Sequence, residues 1–184
     1  MDVSKIDSVK QGIASLPASF KAIDILINNA GLALGVNKAH VNIPAEIDVV
    51  VDVNVKGVLY LIQEITPGMV TRGRGHIINI SSIAGHEAYP GGSVYCATKY
   101  ALRGMTLSLA AEFRGSSVHF VHIALGSTLT EFGPMTLKEK EERNLQGKSY
   151  FTPQWVAKKF VSILEKEQFD PEITIYTSDY DNER

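Results

Sequence analysis

Three side chains that together could move a proton on and off a carbonyl oxygen lie close in the sequence: Ser82, Tyr95 and Lys99. Tyr95 and Lys99 are spaced i, i+4, so on a helix they would share one face. A phenol titrates near pH ~10 and exchanges its proton poorly at neutral pH unless a cation lies beside its oxygen. The Lys99 ammonium would supply that cation, and its N–H groups could also bind a sugar diol. A tyrosine–lysine pair on a solvated helix face has the same spacing, so the neighbouring segments must decide.

Those neighbouring segments predict a strand and a helix that meet over one crevice. His76–Ile80 is short, apolar and rich in branched residues, a pattern typical of a buried strand, and a small-residue turn at Ser81–Gly85 follows it. Open α/β sheets bind ligands just outside the carboxyl ends of their strands. A helix is predicted to begin near Ser93, directly after Pro90–Gly92. The Ser82 hydroxyl, which both donates and accepts, would then hold a substrate oxygen beside the phenol.

Strand-like and helical segments alternate along the chain, which favours a parallel sheet with helices on its faces. Strands are predicted at 24–28, 76–81, 118–123 and 172–176. Helices are predicted at 6–15, 44–70, 93–114 and 153–167. Residues 134–148 include a charge run from Lys138 to Arg143, which indicates either a solvated loop or a partly helical lid over a substrate.

Composition excludes several classes of function. With 184 residues, 45% of them hydrophobic and 21% charged, the chain is expected to form one soluble globular domain over residues 1–184. A formal net charge of −2 and the lack of a basic stripe argue against nucleic-acid binding. Charged residues interrupt every apolar stretch before it reaches the ~20 residues of a membrane span. The single cysteine, Cys96, allows no internal disulfide, so a cytoplasmic location is expected.

Several motifs together resemble the short-chain dehydrogenase/reductase family. They are Asn28-Asn29-Ala30-Gly31, Asn54 within Asp52–Gly57, Ser82, and the Tyr95/Lys99 pair, in matching order and spacing. Ser15–Pro17, Asp24–Gly35 and Ala88–Gly92 are similar to one subgroup, the NADP-dependent 3-hydroxy acid (serine) dehydrogenases. The resemblance implies a Rossmann-like, doubly wound parallel α/β sheet and an NAD(P)-dependent oxidoreductase. Its substrate would be a small carbonyl or secondary alcohol, with a 3-hydroxy acid favoured.

The resemblance also implies a role for each catalytic residue. Tyr95 would be the general acid in reduction and the base in oxidation, with its pKa lowered by Lys99 and the positive nicotinamide. Lys99 would also bond the nicotinamide ribose, and Ser82 would position the carbonyl. Asn54 would hold a water that links Lys99 to solvent. Ser81 is the competing serine, but the spacing to Tyr95 favours Ser82.

Cofactor contacts are implied by the same resemblance, with NADP favoured over NAD and no metal expected. The residues are Asp2, Val3, Asn28, Ala30, Gly31, Tyr95, Lys99, Gly126, Thr128 and Thr130. Asn28–Gly31 has an alternative interpretation as a simple strand-to-loop turn, because Asn and Gly suit left-handed backbone positions. Leu125 stands where the family usually has proline, which frees a backbone N–H and predicts a less rigid nicotinamide loop.

One expected motif is absent from the sequence. No strand leads into a glycine-rich turn and a helix, the arrangement whose backbone N–H groups hold a pyrophosphate. Asp2-Val3-Ser4 resembles the end of the family's third strand, so the sheet is expected to be N-terminally truncated and to lack the first βαβα portion. Ile25–Ile27 would then be an exposed edge strand. The alternative function is therefore an inactive remnant that only self-associates or binds a partner.

The remaining candidates are weaker. His119 and His122 would point to opposite faces of a strand, which argues against a shared metal. His86, with Glu87 and Tyr89, could line a substrate pocket or lie in a solvated loop.

Cys96 is interpreted as a packing residue, and Trp155 is expected to pack the last helix against the sheet. By resemblance, helices 44–70 and 93–114 would form the interface of a homodimer or homotetramer.

Overall fold

A four-stranded parallel sheet forms the centre of the protein. The computed structural model describes residues 1–34, 37–166 and 169–183. The strands are β1 (Ile25–Asn28), β2 (Gly75–Ser82), β3 (Val118–Leu125) and β4 (Glu172–Ile175), and they lie in sequence order across the sheet. All neighbouring strands pair in parallel. The four predicted strands are confirmed, with ends that differ by one or two residues.

Seven helices occur in the described ranges, and their bounds correct the sequence prediction in two places. They are α1 (Ile6–Ala14), α2 (Pro44–Val51), α3 (Gly57–Arg72), α4 (Ser93–Glu112), α5 (Leu137–Leu145), α6 (Pro153–Leu164) and α7 (Thr177–Asp181). The single helix predicted over 44–70 is wrong, because a π-helical segment at Asp52–Lys56 separates α2 from α3. The helix predicted over 153–167 ends at Leu164, and residue 167 lies outside the described residues.

Local chemistry explains where several of these helices begin and end. Pro44 and Pro153 occupy first-turn positions, where the missing N–H costs nothing. Thr136 and Glu139 form a reciprocal capping box at the start of α5. Gly73 ends α3 in the left-handed region (φ 66°), which lets the chain turn directly into β2.

Helices cover both faces of the sheet, and each face has its own apolar core. On the first face, α1, α3 and α4 pack on β2 and β3; this core includes Val9, Leu61, Met69, Ile77, Leu102 and Phe120. On the second face, α6 and α7 pack on β2–β4; this core includes Ile78, Val121, Ile123, Phe151, Ile163 and Tyr180. Trp155 of α6 stacks on Phe151, with ring centroids 5.0 Å apart, and thereby joins the helix to the second core. The expected role of Trp155 is confirmed.

The β1 edge is exposed, as the sequence predicted. Ile25 and Ile27 retain 46% and 43% of their accessible surface. A cavity of about 510 Å³ lies beside this strand between α1 and α3, and Val3, Ile13, Leu26, Asn28 and Leu61 contribute to its lining. None of the helices described here combines the length and apolar composition needed to cross a bilayer.

The exposed edge leads to a prediction about self-association. We expect Ile27→Lys to reduce concentration-dependent light scattering, because a charge on an edge strand opposes pairing with another chain. The free energy of unfolding should change by less than about 0.5 kcal/mol, since the side chain is substantially exposed. Ile78→Val is the matched control: Ile78 is the register partner of Ile27 and is fully buried. That change should cost about 0.5–1.5 kcal/mol without altering scattering. Unchanged scattering for Ile27→Lys would contradict the assignment of the β1 edge as the surface through which chains associate.

Candidate active site

The end of β2 and the start of α4 meet closely, as the sequence predicted. Ser82 is the last residue of β2, and Tyr95 lies in the first turn of α4. Between them, a 3-10 turn at Ile83–Gly85 passes so near α4 that a Cβ on Gly85 would lie 2.9 Å from the Lys99 carbonyl oxygen. Only glycine fits this approach without displacing backbone. The glycine therefore fixes the distance between the serine-bearing strand end and the tyrosine-bearing helix.

Tyr95 and Lys99 are both buried in this crevice. The Lys99 Nζ lies 5.5 Å from the centroid of the Tyr95 ring, and it donates a hydrogen bond to the Ile80 carbonyl at 3.1 Å. The Ser82 Oγ accepts from the Ala84 N–H at 3.1 Å, which leaves its own proton free to donate. The structure thus brings the three predicted side chains together at the carboxyl edge of the sheet.

Burial shifts the pKa of both members of the pair. It raises the pKa of Tyr95 to about 12, and hydrogen bonding with Ser82 only partly opposes that rise. Burial also lowers the pKa of Lys99 to about 8. Both shifts arise because removing a charged form from water disfavours it. The expected lowering of the Tyr95 pKa by Lys99 together with the positive nicotinamide concerns the cofactor-bound chain and stays a prediction.

Asn54 lies in the π-helical segment, where its side chain binds the loop after β1. Its Oδ1 accepts from the Leu32 N–H at 2.8 Å, and its Nδ2 donates to the Leu32 carbonyl at 2.9 Å and to Thr98 Oγ1 at 3.1 Å. Both amide hydrogens are thus committed to protein acceptors. The π segment also shifts the backbone pattern, with the Gly57 N–H donating to the Asp52 carbonyl. Single-turn π segments occur frequently at functional sites.

Asn28 belongs to a polar row that crosses the sheet. Asn28, Asn79, His122 and Glu172 occupy one register position on the four strands. Asn28 Nδ2 donates to Asn79 Oδ1 at 2.7 Å, and Asn79 Nδ2 donates to Thr106 Oγ1 at 2.9 Å. Asn28 Oδ1 is buried and has no hydrogen-bond partner within the described residues. The side chain therefore supports the sheet on one side and presents an unused acceptor.

The next two residues of the same motif lie nearer the crevice. Gly31 faces Asn54 and Lys99, because a Cβ at this position would lie 3.4 Å from Asn54 Oδ1 and 3.9 Å from Lys99 Nζ. Ala30 is exposed in the loop beside it. This loop therefore forms one wall of the crevice.

The segment after β3 also reaches the crevice, because its Phe132 ring packs beside that of Tyr95. Gly126 packs against α7, where a Cβ would lie 3.2 Å from Thr177 Cγ2. Thr128 forms an isolated bridge with Phe151. The Thr130 carbonyl accepts from Lys140 Nζ at 2.7 Å. These backbone contacts hold the loop that carries the predicted nicotinamide contacts.

The position of Lys140 argues against the interpretation of the charge run at Lys138–Arg143 as a solvated loop. Its side chain is buried, and Nζ donates to the Phe132 carbonyl at 2.6 Å as well as to that of Thr130. The Phe132 ring in turn lies 6.1 Å from that of Tyr95. Helix α5 is therefore bonded to the loop beside Tyr95 and is not simply a solvated surface. Whether the segment moves as a lid stays a prediction.

The N-terminal residues Asp2 and Val3 pack at the start of α1. The Asp2 carboxylate accepts from the Ser4 N–H at 3.0 Å, and this hydrogen bonding, with that of the Ser4 hydroxyl, lowers its pKa. Val3 lies against the start of α3, where a Cβ on Gly57 would be 3.0 Å from Val3 Cγ2. Val3 is thus packed against the first core near the β1 edge, while Asp2 stays exposed at the start of the chain.

One polar cluster was missed by the sequence interpretation. His86 Nε2 lies 3.5 Å and His122 Nδ1 lies 4.0 Å from Glu172 Oε1. Arg103 pairs with both carboxylate oxygens of Glu172, and its guanidinium holds the pKa of that carboxyl below its usual range. Burial lowers the pKa of His122 to about 4, so the imidazole is neutral at pH 7. Strand alternation gave the only available signal, since it places His122 on the same face as the apolar Val118 and Phe120.

The other histidine predictions can now be assessed. His119 stacks on His76 with ring centroids 5.3 Å apart, away from the cluster around His122. The prediction that His119 and His122 do not share a metal is consistent with this separation. His86 points to Glu172, so the proposal that it lines a substrate pocket loses its support. Cys96 is buried beside Tyr95 and packs, as interpreted.

A nicotinamide dinucleotide fits part of this site. The Lys99 ammonium has donors beyond the one used on Ile80, and the orphaned Asn28 Oδ1 is an acceptor at the end of β1. Both are groups that a ribose diol could satisfy. The sequence supplies no glycine-rich turn for the pyrophosphate, so these residues fit the nicotinamide and ribose portions and leave the phosphates without that cradle.

Comparison with known proteins identifies the family. The family model for short chain dehydrogenases matches residues 1–141. The NADP-dependent 3-hydroxy acid dehydrogenase YdfG of Salmonella typhi is 42% identical over 151 residues, which cover 82% of this chain and 60% of that protein. The NADP-dependent 3-hydroxy acid dehydrogenase of Schizosaccharomyces pombe is 35% identical over 172 residues, which cover 91% of this chain and 66% of that protein. The chain thus spans about 60% of the length of the first of these relatives.

Solved structures agree with this assignment. A closed form of serine dehydrogenase complexed with NADP+ superposes with a TM-score of 0.87 and 36% identity, covering 95% of this chain and 73% of that one. Serine dehydrogenase from Escherichia coli superposes with a TM-score of 0.81 and 33% identity, with the same coverage of 95% and 73%. The Rossmann-like α/β fold predicted from the sequence is confirmed.

The buried lysine leads to a prediction about stability. The folded pKa of Lys99 is lowered from 10.5 to about 8, so below pH 8 the fold carries a buried charge that the unfolded chain holds in water. We expect Lys99→Met to raise the free energy of unfolding at pH 7 by about 1–3 kcal/mol. This gain should shrink as the pH rises from 8 towards 10.5, because the folded lysine then loses its proton.

Urea unfolding at pH 7 and pH 10 would measure this effect. Lys56→Met is the control, since Lys56 is exposed and paired with Asp52. That substitution should give no gain at pH 7. A Lys99→Met chain that is less stable than the unsubstituted chain at pH 7 would show that the ammonium is well solvated or well paired.

Proposed function

Because the chain belongs to the short-chain dehydrogenase family, we propose that it carries the catalytic part of an NADP-dependent oxidoreductase that interconverts a secondary alcohol and a ketone. The observation that carries the proposal is the convergence of Ser82, Tyr95 and Lys99 in one buried crevice at the carboxyl edge of the sheet. A 3-hydroxy acid is the proposed substrate class, because the relatives at 42% and 35% identity bear that name.

The high pKa of Tyr95 suits proton donation to a carbonyl. With a pKa of about 12 the phenol is protonated at neutral pH, so it is ready to donate as a ketone oxygen gains negative charge. The Ser82 hydroxyl would donate to the same oxygen and fix its position. The bound cofactor would supply the hydride. In the reverse direction the same group would accept the proton as phenolate, the form that burial disfavours.

Lys99 would act through its charge and its donors. With a pKa of about 8 the ammonium is still mostly protonated at pH 7, and it lies against the Tyr95 ring. The developing phenolate would be stabilised by this ammonium as Tyr95 loses its proton. The remaining N–H groups would bond a ribose diol.

The contacts of Asn54 change how the relay water between Lys99 and solvent would be held. Its amide hydrogens are occupied by Leu32 and Thr98, so the side-chain N–H groups are not available to a water. The π segment frees the local backbone from the usual i, i+4 pattern. We therefore assign the contact with a relay water to the main chain at Asn54. The side chain would position the loop that carries Gly31.

The proposed cofactor is NADP, as in the relatives and structural neighbours whose names include it. Asn28, Ala30 and Gly31 would contact it from one wall of the crevice. Gly126, Thr128 and Thr130 would contact its nicotinamide end from the segment after β3, and Asp2 and Val3 would lie near the adenine. Leu125 precedes Gly126 where the family usually has proline, so we expect this segment to hold the nicotinamide less rigidly.

A second candidate function has its own support. The exposed apolar side chains of the β1 edge favour a non-catalytic chain that associates with itself or with a partner. Exposed apolar side chains on α2 and α3 also favour association; they are Val49, Val51, Leu59 and Val70. Assembly into a homodimer or homotetramer and a cytoplasmic location remain predictions under either function.

Cofactor binding separates the two functions. The chain should quench or enhance NADPH fluorescence saturably if it is an oxidoreductase, with weaker binding of NADH. Since the phosphates lack the usual cradle, we expect a dissociation constant of about 0.1–1 mM, at the weak end of ordinary affinities. No binding of either nucleotide at millimolar concentration would favour the non-catalytic function for this chain.

Tyr95→Phe tests the mechanism wherever turnover is detected. Removing the phenol oxygen should lower kcat by about 10²–10⁴-fold, the usual contribution of general acid–base catalysis, while NADPH binding changes little. Tyr60→Phe, on α3, is the matched control and should leave kcat unchanged. Retained turnover in the Tyr95→Phe chain would exclude Tyr95 as the proton donor.

A further inference from the structure

We propose that His86, His122 and Glu172 form a binding site for a divalent transition metal of the Zn²⁺ class, separate from the Ser82–Tyr95–Lys99 site. The three residues come from the turn after β2, from the middle of β3 and from the start of β4. One potential ligand atom from each lies within 4.8 Å of the other two. Two imidazoles and one carboxylate form a ligand set that suits Zn²⁺, Co²⁺ or Ni²⁺ better than Mg²⁺ or Ca²⁺.

The distances are close to those that a metal requires. Bonds of about 2.0–2.2 Å to a tetrahedral Zn²⁺ place two ligand atoms about 3.4 Å apart. His86 Nε2 already lies 3.5 Å from Glu172 Oε1, and His122 Nδ1 lies 4.0 Å from the same oxygen. Movement of about 1 Å or less by side chains would complete the geometry. His86 lies on a turn, so it is the member best able to move.

Unpaired nitrogen atoms give an independent reason to infer a ligand. His122 is fully buried, and neither of its ring nitrogens has a hydrogen-bond partner among the described residues. His86 Nε2 is likewise buried without a partner. Leaving a buried polar atom unsatisfied costs about 1–3 kcal/mol, so these unpaired nitrogens are unfavourable unless something binds them. Two of them, His86 Nε2 and His122 Nδ1, lie near the same Glu172 oxygen. A metal ion would satisfy an unpaired nitrogen on each ring.

Arg103 is the feature that opposes metal binding, and it makes the proposal testable. Its guanidinium bonds both oxygens of Glu172, so a cation must share that carboxylate with an existing positive charge. Each carboxylate oxygen has two lone pairs, so Oε1 retains one for a metal. Arg103 is partly exposed and could also turn to solvent. The proposal therefore requires Arg103 to weaken metal binding without preventing it.

The test is a Zn²⁺ titration of the full chain, freed of any histidine tag and first stripped with a chelator. Calorimetry should give one Zn²⁺ per chain with a dissociation constant of about 1 µM or tighter. Co²⁺ in the same chain should give the strong visible absorption of four- or five-coordinate cobalt. No saturable Zn²⁺ binding, or only the weak spectrum of octahedral Co²⁺, would overturn the proposal.

Substitutions assign the ligands. His86→Asn, on a turn and therefore tolerant, should weaken Zn²⁺ binding by roughly tenfold or more, and His122→Asn should do the same if it folds. His119→Asn is the matched control, because His119 lies on the same strand in the separate pair with His76. Unchanged binding in His86→Asn, or loss of binding in His119→Asn, would overturn the site.

Arg103→Met distinguishes a metal site from a structural ion pair. With the guanidinium removed, Glu172 is free to bind the cation, so Zn²⁺ should bind more tightly than in the unsubstituted chain by roughly tenfold. Glu172→Gln should weaken it by a similar factor. Binding in Arg103→Met that is no tighter than in the unsubstituted chain would exclude Glu172 as a ligand and overturn the three-ligand site.

Discussion

The burial of the Lys99 ammonium is the constraint on which the candidate active site depends. The side chain passes beneath Tyr95, ends at the Ile80 carbonyl and approaches the backbone at Gly31. A charge in that position costs stability, which is why its pKa falls to about 8. Two surrounding elements accommodate it: β2 offers the Ile80 carbonyl as an acceptor, and α4 carries the residue. A site built for ordinary packing would contain an apolar residue here.

A row of buried polar side chains connects the candidate active site to the core of the sheet. A polar row at one register position runs from Asn28 to Glu172 beneath α4, and its members satisfy one another only in part. Buried polar groups of this kind are retained where they specify geometry or bind something. In this chain the row has two unsatisfied regions. One is Asn28 Oδ1 at the β1 end, and the other is the histidine pair near β4. Each lies where an additional group would find a partner.

Sequence reasoning reached the strands, the face shared by Tyr95 and Lys99, and the meeting of β2 with α4, because each depends on local periodicity or short spacing. It did not identify the π segment at Asp52–Lys56. One extra residue turns the following side chains by about 100°, but the helices on both sides are apolar around much of their surface, so the sequence shows no clear break. It also could not indicate the burial that raises the Tyr95 pKa, because the depth of burial is a tertiary property. The contact of His86 with Glu172 joins distant parts of the chain, and no local sequence pattern predicts such a contact.

The bonds of Lys140 bear on how anything enters or leaves the crevice. Its ammonium reaches the carbonyls of Thr130 and Phe132, whose segment packs on the Tyr95 ring. Any outward swing of α5 must therefore break two charge-assisted hydrogen bonds and return the amine to water. Opening of this segment would therefore be coupled to rehydration of a single ammonium. In the proposed oxidoreductase, that opening would be a step separate from proton and hydride transfer, and its rate would depend on ionic strength.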